Sequence, residues 1–162
     1  SNNPFDCFEK KFGYKPNLFM KPCEDGSSID IFKISNDEDY KKAKLNCLNL
    51  EREFIFEESI EGREFTVTII GNKCYPVIEI KTQNDFYDYD AKYISDDTIL
   101  DQAKLSDNEL NIINDIALRT FHALKCSGWA RVDIIQDING NFNVIEINTV
   151  PGMTSHLSLI HI

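Results

Sequence analysis

The stretch WARVDIIQDINGNFNVIEIN, residues 129 to 148, constrains the fold more than any other. Apolar and polar residues alternate on both sides of Asn139-Gly140, a strong short hairpin signal because both residues tolerate the positive φ of a tight turn. The spacing predicts a strand over 129–135, a partner over 142–148 and a two-residue loop between them. Side chains alternate faces along a strand. With that loop Ile138 faces Asn141, Asp133 faces Glu146 and Arg131 faces Asn148, and the last four share a face. Val132, Ile134, Ile145 and Ile147 fall on the other, the expected core face. A three-residue loop would shift the pairing by one and send the two acids to opposite faces.

Directly opposed residues have Cβ atoms about 5 Å apart, and like charges placed so are destabilising. A hard divalent cation with oxygen ligands resolves the conflict between Asp133 and Glu146, with Asn148 able to add an oxygen. Mg2+ suits so small a ligand set, because it binds through one or two carboxylates plus substrate phosphates. Arg131 would face the same anion. A second reading makes the pair two acids on a solvated sheet face, partly neutralised by Arg131. The hairpin alone leaves both open.

Upstream, 17–22 reads as a strand stopped by Pro22, and 29–34 as the next. Ser35 with Glu38 predicts a capping box, followed by Tyr40, Ala43, Cys47 and Leu50 on one helical face. A strand over 52–60 turns at Glu61-Gly62 into another over 63–70. Gly71-Asn72 then turns into 73–81, where Pro76 marks an edge or a bulge. Residues 82–105 show no clean period, and FYDYDAKY (86–93) within them suggests function. Ser106 and Glu109 form a second capping box; Leu110, Ile113, Ala117, Phe121 and Leu124 follow at helical spacing, and Gly128 ends the helix. Trp129 belongs in the core. Lys21, before the small polar loop CEDGSS, suits a phosphate contact or a plain surface turn, and the order is not that of a Walker A motif. Lys92 reads as a second phosphate contact or a solvated lysine.

A hydrophobic content of 42% supports a packed core, and a net charge of −10 argues against a nucleic-acid partner. No apolar run approaches a membrane span, so no membrane partner is expected. Five cysteines without CxxC spacing read as reduced, mostly buried thiols of a cytoplasmic protein. His122 reads as structural, and no Ser-His-Asp or Cys-His arrangement can be argued. SNNPFD reads as carrying a tag remnant and LSLIHI stops in mid-apolar pattern, which suggests a piece of a longer chain.

KPCEDGSS, EESIEGREFTV, FYDYDAKY, GWARVDII and EINTVPGMTSH occur in that order. Together they resemble the central and C-terminal parts of the D-alanine–D-alanine ligases, members of the ATP-grasp superfamily, from about residue 15 to about residue 160. The last two motifs are specific; GREFTV and KP…GSS are shared more loosely with other ATP-grasp ligases. The resemblance implies an α+β ATP-grasp fold, with mostly antiparallel sheets and flanking helices, lacking the family's N-terminal domain. Residues 1–58 would be the central subdomain and 59–162 the C-terminal subdomain, with a mobile loop over 82–98. ATP phosphates would meet Lys21 and Lys92, adenine would meet Glu57 and the backbone near Ile60, and ribose would meet Glu64. Tyr93 would hydrogen-bond Ser27 to close the site. Asp133, Glu146 and Asn148 would bind two Mg2+, or Mn2+ in their place. Arg131 and the Gly152 N–H would stabilise an oxyanion.

The implied reaction joins two D-alanines through an acyl phosphate, for peptidoglycan and the cell wall, in a cytoplasmic homodimer. FYDYDAKY favours D-alanine as acceptor. A D-alanine–D-lactate ligase, another ATP-grasp carboxylate–amine ligase and a nucleotide-binding fragment inactive by itself are the alternatives. Leu157 stands where the family pattern has an acceptor-binding serine, and Ser158 could serve if the chain shifts by one residue.

Overall fold

The computed structural model describes residues 3–24, 30–47, 52–81 and 99–150. The chain divides into two compact units, 1–59 and 60–162.

The first unit opens with α1 (Pro4–Phe12). The Asn3 side chain accepts from the Phe5 N–H at 3.0 Å, Pro4 takes the first turn, and Gly13 closes the helix in the left-handed region at φ 82°. Asn and Pro here make a helix start. β1 (Leu18–Pro22) pairs antiparallel with β2 (Phe32–Ile34) on one side and β3 (Phe54–Glu58) on the other. Leu18, Met20 and Pro22 alternate inward, and Phe5, Ile34 and Ala43 complete this core. α2 (Asp37–Asn46) is capped one residue later than Ser35 predicts. Asn36 accepts from the N–H groups of Glu38 (2.9 Å) and Asp39 (3.0 Å), and Asp39, not Glu38, reaches back to the Ser35 N–H at 3.1 Å. Asn caps as well as Ser does, and a second acceptor three residues on decided between them. Leu50 lies outside the described residues.

The second unit is an antiparallel sheet in the order β7-β6-β4-β8-β9, with β5 also on β4. Its strands are β4 (Gly62–Ile70), β5 (Lys73–Cys74), β6 (Ile78–Lys81), β7 (Ile99–Gln102), β8 (Trp129–Asp137) and β9 (Phe142–Asn148). β4 does not return along β3; the two strands lie in different sheets. Ile69 stands opposite Cys74 but Thr66 opposite Ile78, so one extra residue sits in Tyr75-Pro76-Val77. Proline has no N–H for the ladder, and the strand bulges there. β6 is not an edge, because β7 covers its other side. β7 falls inside the segment expected to lack structure; ILDQ is too short and too polar to show a period.

One face of this sheet is apolar. Phe65, Val67, Ile69, Ala130, Val132 and Ile134 pack against Ile113, Ala117 and Phe121 of α3 (Asp107–Ala123). Burying each of the larger side chains contributes about 1.5–3 kcal/mol. Leu110 and Leu124 flank this stripe and are exposed. α3 stops at Ala123, before Gly128, because Lys125 already turns left-handed at φ 54°. Trp129 is partly buried and stands outside the core cluster. The cysteines are not the buried thiols expected: Cys7 and Cys23 are exposed, and Cys47, Cys74 and Cys126 partly so. No helix among the described residues is long and apolar enough to cross a membrane.

Charge ties α3 to the sheet. The predicted capping box forms between Ser106 and Glu109. The other Glu109 oxygen accepts from the Gln136 amide at 3.1 Å, and Arg63 donates to Glu79 (2.8 Å) and to the Gln136 oxygen (3.4 Å). The Ser106 hydroxyl and N–H, with the Gln136 amide, hold the Glu109 carboxyl down to about 2, against an ordinary value of 4.5. The Arg63 guanidinium likewise holds Glu79 below the usual range. A depressed carboxyl adds stability above its unfolded pKa and loses it as pH falls through the folded one. The difference in denaturant midpoint between the protein and Glu109→Gln is therefore expected to be constant above about pH 5 and to shrink steadily between pH 4.5 and 2. Urea titrations across that range would show it.

Candidate functional site

The hairpin between β8 and β9 builds the site, by a route other than the one its sequence signals. Its loop has three residues, Ile138-Asn139-Gly140, not two. The Asp137 N–H donates to the Asn141 carbonyl and the Gly140 N–H to the Asp137 carbonyl, both at 2.9 Å, with Gly140 at φ 84°. The Asp137 side chain favours this turn. It accepts from the N–H groups of Asn139 (2.9 Å) and Asn141 (2.8 Å) and from the Asn141 amide (3.0 Å), which lowers its pKa. Such aspartate bonds to nearby N–H groups compete with the two-residue Asn-Gly turn.

The strands accordingly start one residue off the expected register, with Gln136 opposite Phe142 and Ile134 opposite Val144. A bulge at Ile145 cancels the shift. Beyond it Asp133 pairs with Glu146, Val132 with Ile147 and Arg131 with Asn148. Arg131, Asp133, Glu146 and Asn148 therefore do share a face, the one opposite α3. Ile145, expected in the core, is displaced by the bulge and is 36% exposed. Ile147 packs on the core as expected.

Asp133 is buried, and both its oxygens are engaged. Oδ1 accepts from the Thr66 hydroxyl at 2.7 Å and from Arg131 Nε at 2.9 Å. Oδ2 accepts from Arg131 Nη2 at 2.8 Å and from Asn148 Nδ2 at 3.2 Å. The same Asn148 nitrogen lies 3.2 Å from Glu146 Oε1, so it bridges the two carboxylates. Burial pushes the Asp133 carboxyl above its ordinary value, against the pull of Arg131 and Thr66, and the Glu146 charge adds to the rise. Such a cluster favours any further positive charge. Two carboxylates and an amide, all able to present oxygen, fit a hard cation, and the amide can turn its oxygen inward. Among the described residues no three His, Cys, Asp or Glu side chains gather as a metal group; the third oxygen here is an amide.

Other residues singled out in the sequence are distributed over both units. In the first, Lys21 and Glu57 project from one face of β1 and β3 and pair at 2.6 Å. In the second, Glu64 lies on β4 opposite Ile135, on the same face as Thr66, and is partly buried. Ile60 precedes β4 and is partly buried. Ser27, Lys92, Tyr93, Gly152 and Ser158 lie outside the described residues. The sequence reading missed Thr66. It enters through the β4–β8 pairing, which sets it opposite Asp133, and no local pattern announces a pairing across 67 residues.

Two compact units, each an antiparallel sheet with helical cover, one with a lysine at a strand end and one with a carboxylate pair, define an ATP-grasp fold. The chain belongs to the family described as D-ala D-ala ligase C-terminus, whose model matches residues 2–161. It is 39% identical over 140 residues to a D-alanine–D-alanine ligase of Mannheimia succiniciproducens, covering 86% of this chain and 46% of that one. A D-alanine–D-alanine ligase from Bacillus anthracis complexed with ATP superposes with a TM-score of 0.71 at 28% identity, covering 90% of this chain and 44% of that one. The VanG D-Ala:D-Ser ligase from Enterococcus faecalis gives 0.76 at 31%, covering 93% and 45%. The chain thus spans about half the length of the relatives it matches.

Removing one partner of a buried ion pair leaves the other charge without compensation, at about 3–5 kcal/mol. Arg131→Met is expected to lower stability by about that much, and Arg131→Lys by less. Urea unfolding would measure both.

Proposed function

We propose that this chain is the nucleotide- and metal-binding half of an ATP-dependent ligase that joins two D-alanines for peptidoglycan precursor synthesis. The observation that carries the reading is the Asp133–Glu146 pair, with Arg131 and Asn148 on the same face, in a chain of this family. Asp133, Glu146 and Asn148 would hold Mg2+, which neutralises phosphate charge when bound. Lys21 and Lys92 hold the ATP phosphates, Glu57 and the Ile60 backbone the adenine, and Glu64 the ribose. The carboxylate of one D-alanine attacks the γ-phosphorus and ADP leaves. The amine of the second attacks the acyl phosphate and expels inorganic phosphate. Arg131 and the Gly152 N–H offset charge on the oxyanion that forms, so this chain's residues act by position and electrostatics. Tyr93 and Ser27 close the site against water, and Ser158 meets the acceptor carboxylate. The whole protein is a cytoplasmic homodimer in this reading.

The likeness to a D-Ala:D-Ser ligase supports a second acceptor reading, D-serine in place of the second D-alanine. Both are tested with this chain joined to the part of a full-length relative that it does not span. Phosphate release from ATP and Mg2+ is expected to depend on D-alanine and to fall by on the order of a hundredfold or more in Asp133→Asn. Release independent of D-alanine overturns the ligase reading. A mixed D-Ala–D-Ser product, formed in preference when both amino acids are present, overturns the acceptor assignment.

A further inference from the structure

Thr66 has no part in the readings above, yet among the described residues its side chain makes the shortest hydrogen bond to Asp133. It is 2% exposed, sits opposite Asp133 in the β4–β8 pairing, and donates its hydroxyl to Oδ1 at 2.7 Å. The other donor to Oδ1, Arg131 Nε, also bonds Oδ2 through Nη2. Arg131 is the group expected to meet substrate anion. When it does so, Thr66 is the donor on Oδ1 that remains among the described residues.

We propose that Thr66 is a positioning residue for the cation site. It acts through Asp133, holding Oδ1 from the β4 side so that Oδ2 is the oxygen turned toward Asn148 and Glu146. The geometry favours one rotamer. A β-branched threonine in a buried strand has little χ1 freedom, so the hydroxyl is fixed by backbone and packing rather than by the carboxylate. A carboxylate held at one oxygen presents the other without loss of rotational freedom on binding, the role that partners of metal ligands commonly fill. The inference rests on the metal role proposed for Asp133.

Thr68 supplies an internal control. It lies two residues along the same face of β4, opposite Arg131, is 1% exposed, and its Oγ1 has no hydrogen-bond partner among the described residues. Thr66→Val and Thr68→Val are the same chemical change at equal burial, one with a bond to Asp133 and one without. Thr66→Ser keeps the hydroxyl.

The test is Mn2+ binding to the 162-residue chain, followed by the electron paramagnetic resonance signal of free Mn2+, with thermal melts to show that each variant is folded. Thr66→Val is expected to weaken Mn2+ binding about tenfold, with Thr66→Ser and Thr68→Val within about twofold of the unsubstituted protein. Unchanged affinity in Thr66→Val overturns the inference, as does equal weakening in Thr68→Val. Asp133→Asn separates the two levels: if it binds Mn2+ as the unsubstituted chain does, the metal reading itself fails and takes the inference with it.

Discussion

Two carboxylates facing each other across one antiparallel pair set the terms for the second unit. At an effective dielectric of about 20, unit charges about 5 Å apart repel by roughly 3 kcal/mol, comparable with the burial of a whole core side chain. The fold meets this with polar contacts from three strands: Thr66 from β4, Arg131 from β8 and Asn148 from β9. The Thr66 and Asn148 bonds to Asp133 exist only because β4, β8 and β9 are adjacent and in register. The sheet order is thus a requirement of the acid pair as much as of the hydrophobic core on the other face.

Register is what the hairpin has to deliver, and it does so by two deviations that cancel. The Asp137 carboxylate draws the loop into three residues, which alone would separate Asp133 and Glu146 onto opposite faces. The extra residue at Ile145 restores the pairing. A regular hairpin on a two-residue turn would place the same four residues together. What the bulge adds is local: a bulged strand bends and twists more, and here the extra residue comes directly before Glu146.

Much of the second unit was legible because its signals are local. The capping box at Ser106 and Glu109, the apolar stripe of Ile113, Ala117 and Phe121, and the alternation through 129–148 each follow from residues within a turn or two of one another. The legible site was the part carried by one hairpin. Features that depend on distant partners were not readable. Thr66 looks like any strand threonine until β4 lies beside β8, and β3 and β4 look like hairpin strands until they are found in separate sheets. The misreadings within reach, the cap at Asn36 and the loop at Asn139-Gly140, share a cause. In each, an aspartate a few residues away (Asp39, Asp137) offered an additional acceptor that decided between two nearly equal turns. Short-range acidic acceptors merit the same weight as Gly and Asn in reading turns of so acidic a chain.

The opposite faces of the sheet make complementary demands. On one, Phe65, Val67 and Ile69 gain by packing tightly under α3, whose first turn is fixed by Glu109, Gln136 and Arg63. On the other, Glu64, Thr66 and Thr68 lie on the face that presents the polar groups. Groups that stabilise charge do so best when they need not reorganise, and side chains on a strand can hold still only if the strand does. The same alternation that buries Phe65 and Val67 therefore holds Thr66 between them. The rigidity of the apolar face passes to the acid pair through a threonine that neither face's own pattern would have singled out.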